Sequence, residues 1–506
     1  MDRKISIIFI PFFLLITVPY LLAWAMSSQG FVFGGFLFNP IDGNSYLAKM
    51  VEGWRGEWAF TLPYTAQKGT GAPIFLFYIF LGHFSRVTSI PIIWVFHITR
   101  IIGAGILVRE LVRFNSVFFP TSTGYLRKAT GLALLGSGLG WMLLLFGIIS
   151  SDLWVAEGFP FLSSFSSPHF TLGMALLVRI FSDLTLQETP GKFIRLIIWG
   201  FLISLIMPFG MVIASLVAGL WIAVEWKFTK QLYWRSLIAL ASLGGFYLAY
   251  QYWVIYHDPL LSQWNAQNQT PAPAGWDLFL SFSPAILLAG WGVWKWLRNH
   301  ETGPSQRLVL IWFLSGLALV YFPYSLQRRF IFGLFIPISI LTVAGIQAFT
   351  SWKIQWAKKF TPFFWISSLL TNGVVILLAL FGIFSHSPLF FVTQDEAEGL
   401  RFIRDSLPAD ALILCSPETG LFIPAWTGRR VLYGHEFETV DAKAKKELAE
   451  SLLIGQMGDA QEVNLMKENF VQYVFLGPRE RRIGKPVFQS VMKPVFQNES
   501  VTIFSW

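Results

Sequence analysis

The sequence predicts a polytopic α-helical membrane protein with a small C-terminal α/β domain, and three observations carry that prediction. Its 506 residues are 54% hydrophobic and only 13% charged, against a charged share of about 25% in soluble domains. Apolar runs near the roughly 20 residues needed to cross a bilayer recur through the first three quarters of the chain. The charge is also divided. From residue 385 onward there are 13 Lys and Arg against 16 Asp and Glu, whereas the preceding part carries 25 against 13. Excess base confined to the membrane part is the imprint of cytoplasmic loops. It does not form a nucleic-acid surface, and no nucleic-acid partner is expected.

The opening Met-Asp-Arg-Lys leads into an apolar run to residue 26, too long for the core of a secretory signal and without a small-residue cleavage motif after it. It reads as a retained first transmembrane helix entering from the cytoplasm. Hydropathy gives about eleven spans: 4–26, 90–112, 128–150, 169–182, 193–208, 210–226, 235–256, 277–297, 307–323, 331–350 and 362–384. The sequences GSGLG (136–140) and MPFG (207–210) are places where a helix can break. The short apolar stretch 73–84 is placed as an interfacial helix in the first outside loop.

With the N-terminus inside, the cytoplasmic loops collect Arg109, Arg113, Arg127, Lys128, Arg179, Lys192, Arg195, Lys227, Lys230, Arg235, Lys295, Arg298, Arg307, Lys353, Lys358 and Lys359. The outside loops 151–168 and 257–276 have no Lys or Arg. The odd span number puts the C-terminal region outside. The expectation is thus a multi-pass protein of the plasma (inner) membrane, with a membrane domain 1–385 and an extracytoplasmic domain 386–506. In the latter, Leu400, Ile403 and Leu407 mark a helix over 393–407, the apolar runs 411–415 and 473–477 mark strands, and the segments between them look helical.

The single cysteine, Cys415, excludes an internal disulfide and a Cys-based metal cluster. No phosphate-binding loop, HExxH pair or G-x-S-x-G elbow is present. The outside carboxylates are more informative: Asp42 in the first loop, then Asp152 and Glu157 in the second, with His169 close behind. Two of them could share a divalent cation (Mg or Mn), with Asp42, Asp152 and Glu157 as candidate ligands, or one could be the general base toward an acceptor hydroxyl. Loop carboxylates also cap helices or face water. The third loop adds Gln267 and Asn268. The sequence QRRF puts Gln327, Arg328 and Arg329 on the same side. Paired arginines there run against the topology rule, and they suit a lipid phosphate or pyrophosphate, lipid headgroups, or an outside carboxylate.

The stretch FNPIDGNSYL, with Asp42, Tyr46 and Leu47, is followed by GAPIFLFYIFLGHF at 71–84 and by the acidic loop of Asp152 and Glu157. An outer domain then holds SPETGLFIPAWTGRRVLYGHE and YVFLGPRERR. Together these resemble the GT-C membrane glycosyltransferases, in particular the bacterial protein-mannosyltransferase, aminoarabinose-transferase and RgtA-like group. The resemblance implies a GT-C-like fold and an enzyme that moves a sugar from a polyprenyl-phosphate-linked donor to a glycan, lipid or protein acceptor outside the cytoplasm. It implies Asp42 as the catalytic carboxylate, with Glu157 or Asp152 as its second-loop partner and Arg328 and Arg329 on the donor phosphate. Tyr46, His169, Gln267, Asn268 and Gln327 would line the substrates. Two readings from other classes stay open: a flippase or transporter of lipid-linked saccharides, and a non-catalytic membrane assembly protein whose outer domain binds a partner.

Overall fold

A computed structural model describes residues 3–27, 30–298, 302–351, 355–455, 457, 459–484, 486 and 491–506. Met1 and Asp2 of the opening segment and the loop residue Lys353 lie outside the described residues. The chain opens on α1 (Arg3–Ala25), α2 (Pro40–Arg55), α3 (Leu76–Thr88) and α4 (Ile92–Phe118). It divides into two compact units. One comprises Met1–Pro19, His97–Tyr250 and Thr270–Leu380; the other comprises Tyr20–Phe96, Gln251–Gln269 and Phe381–Trp506. The expected boundary at 385 lies close to one border, but the second unit also takes in the first outside loop and the segment 251–269.

Among the described residues, five helices are long and apolar enough to cross a membrane: α4, Pro208–Thr229, Trp234–His257, Gln327–Phe349 and Thr361–Phe384. A sixth is formed if Gly275–Phe282 and Ala285–Arg298, bent by 81°, count as one span. These are fewer than the eleven apolar runs that hydropathy gives. Helix α1 is 23 residues long, whereas Pro168–Leu184, Pro190–Ile206 and Pro304–Val320 are apolar but 17 residues long, about 25 Å at 1.5 Å per residue. The expected span 128–150 is broken outright. Its helix stops at Leu135 and resumes only as Gly140–Leu144. A hydropathy window cannot see this, because it scores an apolar run the same whether or not glycines interrupt it.

Within the first unit, small residues let helix backbones touch. A Cβ on Gly200 would lie 2.2 Å from the Leu240 carbonyl oxygen, and one on Gly244 would lie 2.3 Å from that of Gly200. Gly292 and Gly345 make the same reciprocal approach, to the carbonyls of Leu341 and Leu288. Helices in lipid pack this way because apolar burial gives them little reason to associate, so close contact must supply the attraction. The window within Gln327–Phe349 is 94% buried, which makes it the centre of the bundle, whereas that of Trp234–His257 is 17% buried and faces outward. Charges near the helix ends find partners: Asp183 binds both Arg179 at 3.2 Å and Arg195 at 3.0 Å, and Glu225 binds Arg307 at 2.6 Å.

The second unit is built on a five-stranded sheet. Here β1 (Phe31–Phe33) and β2 (Phe391–Thr393) form a separate antiparallel pair. Strand β3 (Leu412–Leu414) runs parallel to β4 (Arg430–Val431) and to the central strand β5 (Tyr473–Leu476). Then β7 (Thr502–Ser505) pairs antiparallel with β5 and with β6 (Lys493–Gln497). Side chains alternate across the sheet. Ile413, Phe475 and Ile503 enter one core with Leu400, Ile403 and Phe422, whereas Leu414, Val474 and Phe504 enter the other with Leu452 and Met466. Ala48 of α2 and Tyr64 belong to the first of these cores, which is why the first loop folds with this domain. The expected helix over 393–407 is present as Gln394–Ser406, started by a Thr393/Glu396 capping box. Helix α2 packs on α3 through Gly53 and Gly82, where a Cβ would lie 2.0 Å from the carbonyl oxygens of Ile79 and Met50.

Candidate active site

Helix α2 starts where Asn39 takes a left-handed conformation (φ 48°) ahead of Pro40, a turn that asparagine tolerates and proline then locks into helix. This sets Asp42 in the first turn, where the helix dipole favours a negative charge. Asn39 Nδ2 donates to Asp42 Oδ2 at 2.5 Å. The Asp42 side chain remains 30% exposed, so another molecule can reach it.

Ser45 and Lys49 follow at helical spacing on the same side of α2 and are buried. Lys49 Nζ donates to Glu438 Oε1 at 2.5 Å and to Ser45 Oγ at 2.7 Å. The rings of Phe60 and Phe75 lie 5.0 and 4.7 Å from it. Burial by itself would push the Glu438 carboxyl up. Lys49 and His435, with the bonds from Lys49 and Ser45, outweigh that and hold it below the usual range. Tyr46, on the same helix, stacks on Tyr78 at 4.6 Å with the rings nearly parallel.

The segment 434–439 brings His435 and Glu438 to α2. The Thr439 hydroxyl bonds the Tyr64 carbonyl at 2.7 Å and accepts the His435 N–H at 3.3 Å. Gly434 passes so close to Gly420 that a Cβ would lie 2.3 Å from its carbonyl oxygen. Gln267 pins the end of the segment, donating to the Thr439 carbonyl at 2.5 Å and accepting the Asp441 N–H at 3.1 Å. Its neighbour Asn268 closes the helix Pro259–Gln267 as C-cap. His435 Nδ1 accepts the backbone N–H groups of Phe437 and Glu438 at 3.1 and 3.2 Å, and Nε2 lies 3.8 Å from Asp42 Oδ1. Burial pushes the imidazole pKa down, against the pull of Glu438 and Asp42.

Glu52 lies farther along α2 and accepts the Thr61 N–H at 2.9 Å together with the Thr61 hydroxyl. Burial pushes its carboxyl up to about 8, against those bonds and Lys49. The folded chain therefore keeps a proton that the unfolded chain releases near the ordinary value of 4.5. Stability falls as pH rises between those two values and levels off above the higher one. Glu52→Gln keeps an acceptor for Thr61 and removes the titration. It is expected to raise the melting temperature at pH 8 clearly more than at pH 4.5; equal shifts at both would contradict the burial argument.

The remaining expected site residues lie in the first unit. Asp152 is fully buried. Its Oδ2 accepts the N–H groups of Gly138 and Gly140 at 3.1 and 2.9 Å, and its Oδ1 accepts the hydroxyls of Ser150 at 2.7 Å and Ser281 at 3.3 Å. A Cβ on Gly140 would lie 2.3 Å from that Oδ1. The carboxylate thus ties together the backbone groups left open where the 123–135 helix breaks. Asp277 does the same for the preceding residue, accepting the Ser151 N–H at 2.9 Å. Glu157 has a different partner, Arg329, at 2.6 Å. Arg328 lies over the Trp154 ring at 4.5 Å. Gln327 accepts the Ala272 N–H at 3.1 Å and donates to the Phe322 carbonyl at 3.0 Å. His169 is buried in the first turn of Pro168–Leu184, with its ring 3.9 Å from that of Phe170.

A divalent cation does not fit these residues. Asp152 is saturated by internal donors, Glu157 is held by Arg329, and no three His, Cys, Asp or Glu side chains gather among the described residues.

Comparison with families and with curated proteins finds no match; solved structures do match. ArnT from Cupriavidus metallidurans, bound to undecaprenyl phosphate, superposes with a TM-score of 0.53 at 10% identity, over 98% of this chain and 97% of that one. A likeness running almost the full length of both chains decides the architecture. The chain has the GT-C fold. Two further GT-C structures agree. Oligosaccharyltransferase AglB from Archaeoglobus fulgidus, in complex with an inhibitory peptide and a dolichol-phosphate, matches with a TM-score of 0.50 at 10% identity, over 92% of this chain and 69% of that one. The arabinofuranosyltransferase AftD from Mycobacteria matches with a TM-score of 0.50 at 13% identity, over all of this chain and 42% of that one. Within the GT-C fold of this protein, Lys49, His435 and Glu438, gathered on the helix of Asp42, are candidate site residues that sequence reasoning missed. The only signal was the run GHEFE beside a turn-forming glycine.

Proposed function

We propose that the protein is a membrane glycosyltransferase that moves a sugar from a polyprenyl-phosphate-linked donor to a hydroxyl of a glycan, lipid or protein acceptor. Transfer takes place on the extracytoplasmic side of the plasma membrane, with the N-terminus in the cytoplasm. The observation that carries this reading is Asp42, a partly exposed carboxylate on the first turn of a helix, held by Asn39 and backed by a buried histidine, in a chain of GT-C fold. The undecaprenyl phosphate and dolichol-phosphate on two chains of that fold support a lipid-phosphate donor.

In the reaction, the acceptor oxygen bonds to the anomeric carbon while the bond from that carbon to the phosphate oxygen breaks. The acceptor proton goes to Asp42, and the electron pair leaves on the polyprenyl phosphate. Positive charge builds on the sugar and negative charge on the phosphate, so fixed cations assist departure. Arg328, stacked over the Trp154 ring, is the residue assigned to the phosphate. Arg328→Ala is expected to raise the KM for donor by about tenfold or more, as for loss of a charge-assisted bond of 1.5–3 kcal/mol; an unchanged KM would remove Arg328 from the assignment. Asp152 is assigned to the scaffold.

The reading is tested by giving purified protein in liposomes a donor labelled in the sugar, together with hydroxyl acceptors of the three kinds. Label on an acceptor with release of polyprenyl phosphate is the expected result. Donor that crosses the bilayer unconsumed would favour a flippase.

A further inference from the structure

The imidazole of His435 is locked in one protonation pattern. Two backbone N–H groups, those of Phe437 and Glu438, point at Nδ1. That nitrogen must be the acceptor, so in the neutral ring the single proton sits on Nε2. Nε2 is buried and has no hydrogen-bond partner among the described residues. It lies 3.8 Å from Asp42 Oδ1, just beyond hydrogen-bond range. A buried, unsatisfied donor is costly and rarely left without purpose.

Exposure decides between two uses. The Asp42 side chain is 30% exposed and that of His435 only 2%, so a substrate reaches the carboxylate and not the imidazole. His435 cannot accept the acceptor's proton either, because Nε2 already carries one and Nδ1 is occupied by the chain. What remains is orientation of Asp42. Asn39 holds Oδ2 at 2.5 Å, and the Nε2–H stands ready for Oδ1. A donor on each oxygen fixes the carboxylate plane and leaves the outward lone pairs for an acceptor hydroxyl.

We infer that His435, supplied by the 434–439 segment of the C-terminal region, is a positioning residue for Asp42, and that its Nε2–H closes onto Oδ1 when the acceptor engages. The inference rests on Asp42 being the base. It also gives the C-terminal region a task in catalysis: Thr439, Gln267 and the close pass of Gly434 on Gly420 exist to hold one N–H behind one carboxylate.

Two substitutions separate orientation from mere structure. Asparagine at 435 puts an amide oxygen where Nδ1 was, so it keeps the bonds that shape the segment and loses the distal donor. Glutamine places an amide N–H where Nε2–H was and loses the Nδ1 acceptor. His435→Asn is expected to melt like wild type and to lose kcat by about 10²-fold, the cost of a misplaced catalytic group, with the KM for lipid donor unchanged. His435→Gln is expected to recover most of that kcat even if it melts lower. In an Asp42→Asn background, His435→Asn is expected to change the residual rate no further.

Wild-type kcat in His435→Asn would overturn the inference. So would a folded His435→Gln that is as slow as His435→Asn, or a further loss in the Asp42→Asn background. Asp42→Asn alone, run beside them, keeps the two levels apart. Full activity there refutes the base assignment itself, whereas an inactive Asp42→Asn with a fully active His435→Asn refutes only the role of His435.

Discussion

Asp42→Asn lowers kcat for sugar transfer by about 10²–10⁴-fold, the usual contribution of a positioned general base, and leaves folding and the KM for donor near wild type. The amide keeps the shape of the carboxylate and an oxygen for the Asn39 bond (2.5 Å in the wild type), but it cannot take the acceptor's proton. Because the side chain is 30% exposed and no buried cation depends on it, stability has little reason to change. The check is initial-rate kinetics on purified protein with a melting curve beside it. A kcat within a few-fold of wild type would show that the proton goes elsewhere.

The second large effect is on stability. Lys49 and Glu438 are both buried and meet at 2.5 Å. Glu438→Gln would leave the Lys49 ammonium among Tyr46, Phe60 and Phe75 without its counter-charge, and Lys49→Met would leave a buried carboxylate beside His435. Breaking a buried pair from one side costs about 3–5 kcal/mol, whereas replacing both charges together is often close to neutral. Each single variant is therefore expected to melt well below wild type, and Lys49→Met/Glu438→Gln to recover most of the loss. Activity should follow, because the pair joins the helix of Asp42 to the segment of His435. Single variants that melt like wild type would contradict the burial argument.

How far the sequence could be read follows from the same physics. The helix Gln394–Ser406 announces itself by Thr393 and Glu396 at capping distance and by Leu400 and Ile403 on one face. The strands β3 and β5 are short apolar runs between turns. In contrast, β6 carries Lys493 and Pro494 and is largely exposed, and β4 has only two residues; neither leaves a pattern. Helix α2 was invisible for a more instructive reason. Among its buried positions are Asn44, Ser45, Lys49 and Glu52, polar groups that find partners, and hydropathy reads such a segment as a loop. Asp42 stood out by its place after the first span. Its companions His435 and Glu438 lie almost four hundred residues away in the sequence, and only the packing of 434–439 on α2 brings them together. The carboxylates of the second loop show the opposite limit. Their residue type suggested chemistry, but Asp152 is engaged with glycine N–H and serine hydroxyl groups around a helix break.

The central claim, sugar transfer through Asp42, is tested most directly by one paired measurement. Liposomes holding wild-type or Asp42→Asn protein receive the same polyprenyl-phosphate donor labelled in the sugar, and label is followed from lipid to acceptor. The account predicts that label appears on the acceptor, and polyprenyl phosphate accumulates, only with wild type, while both proteins bind donor equally. Equal transfer by the two proteins, or donor translocated intact by both, would contradict it.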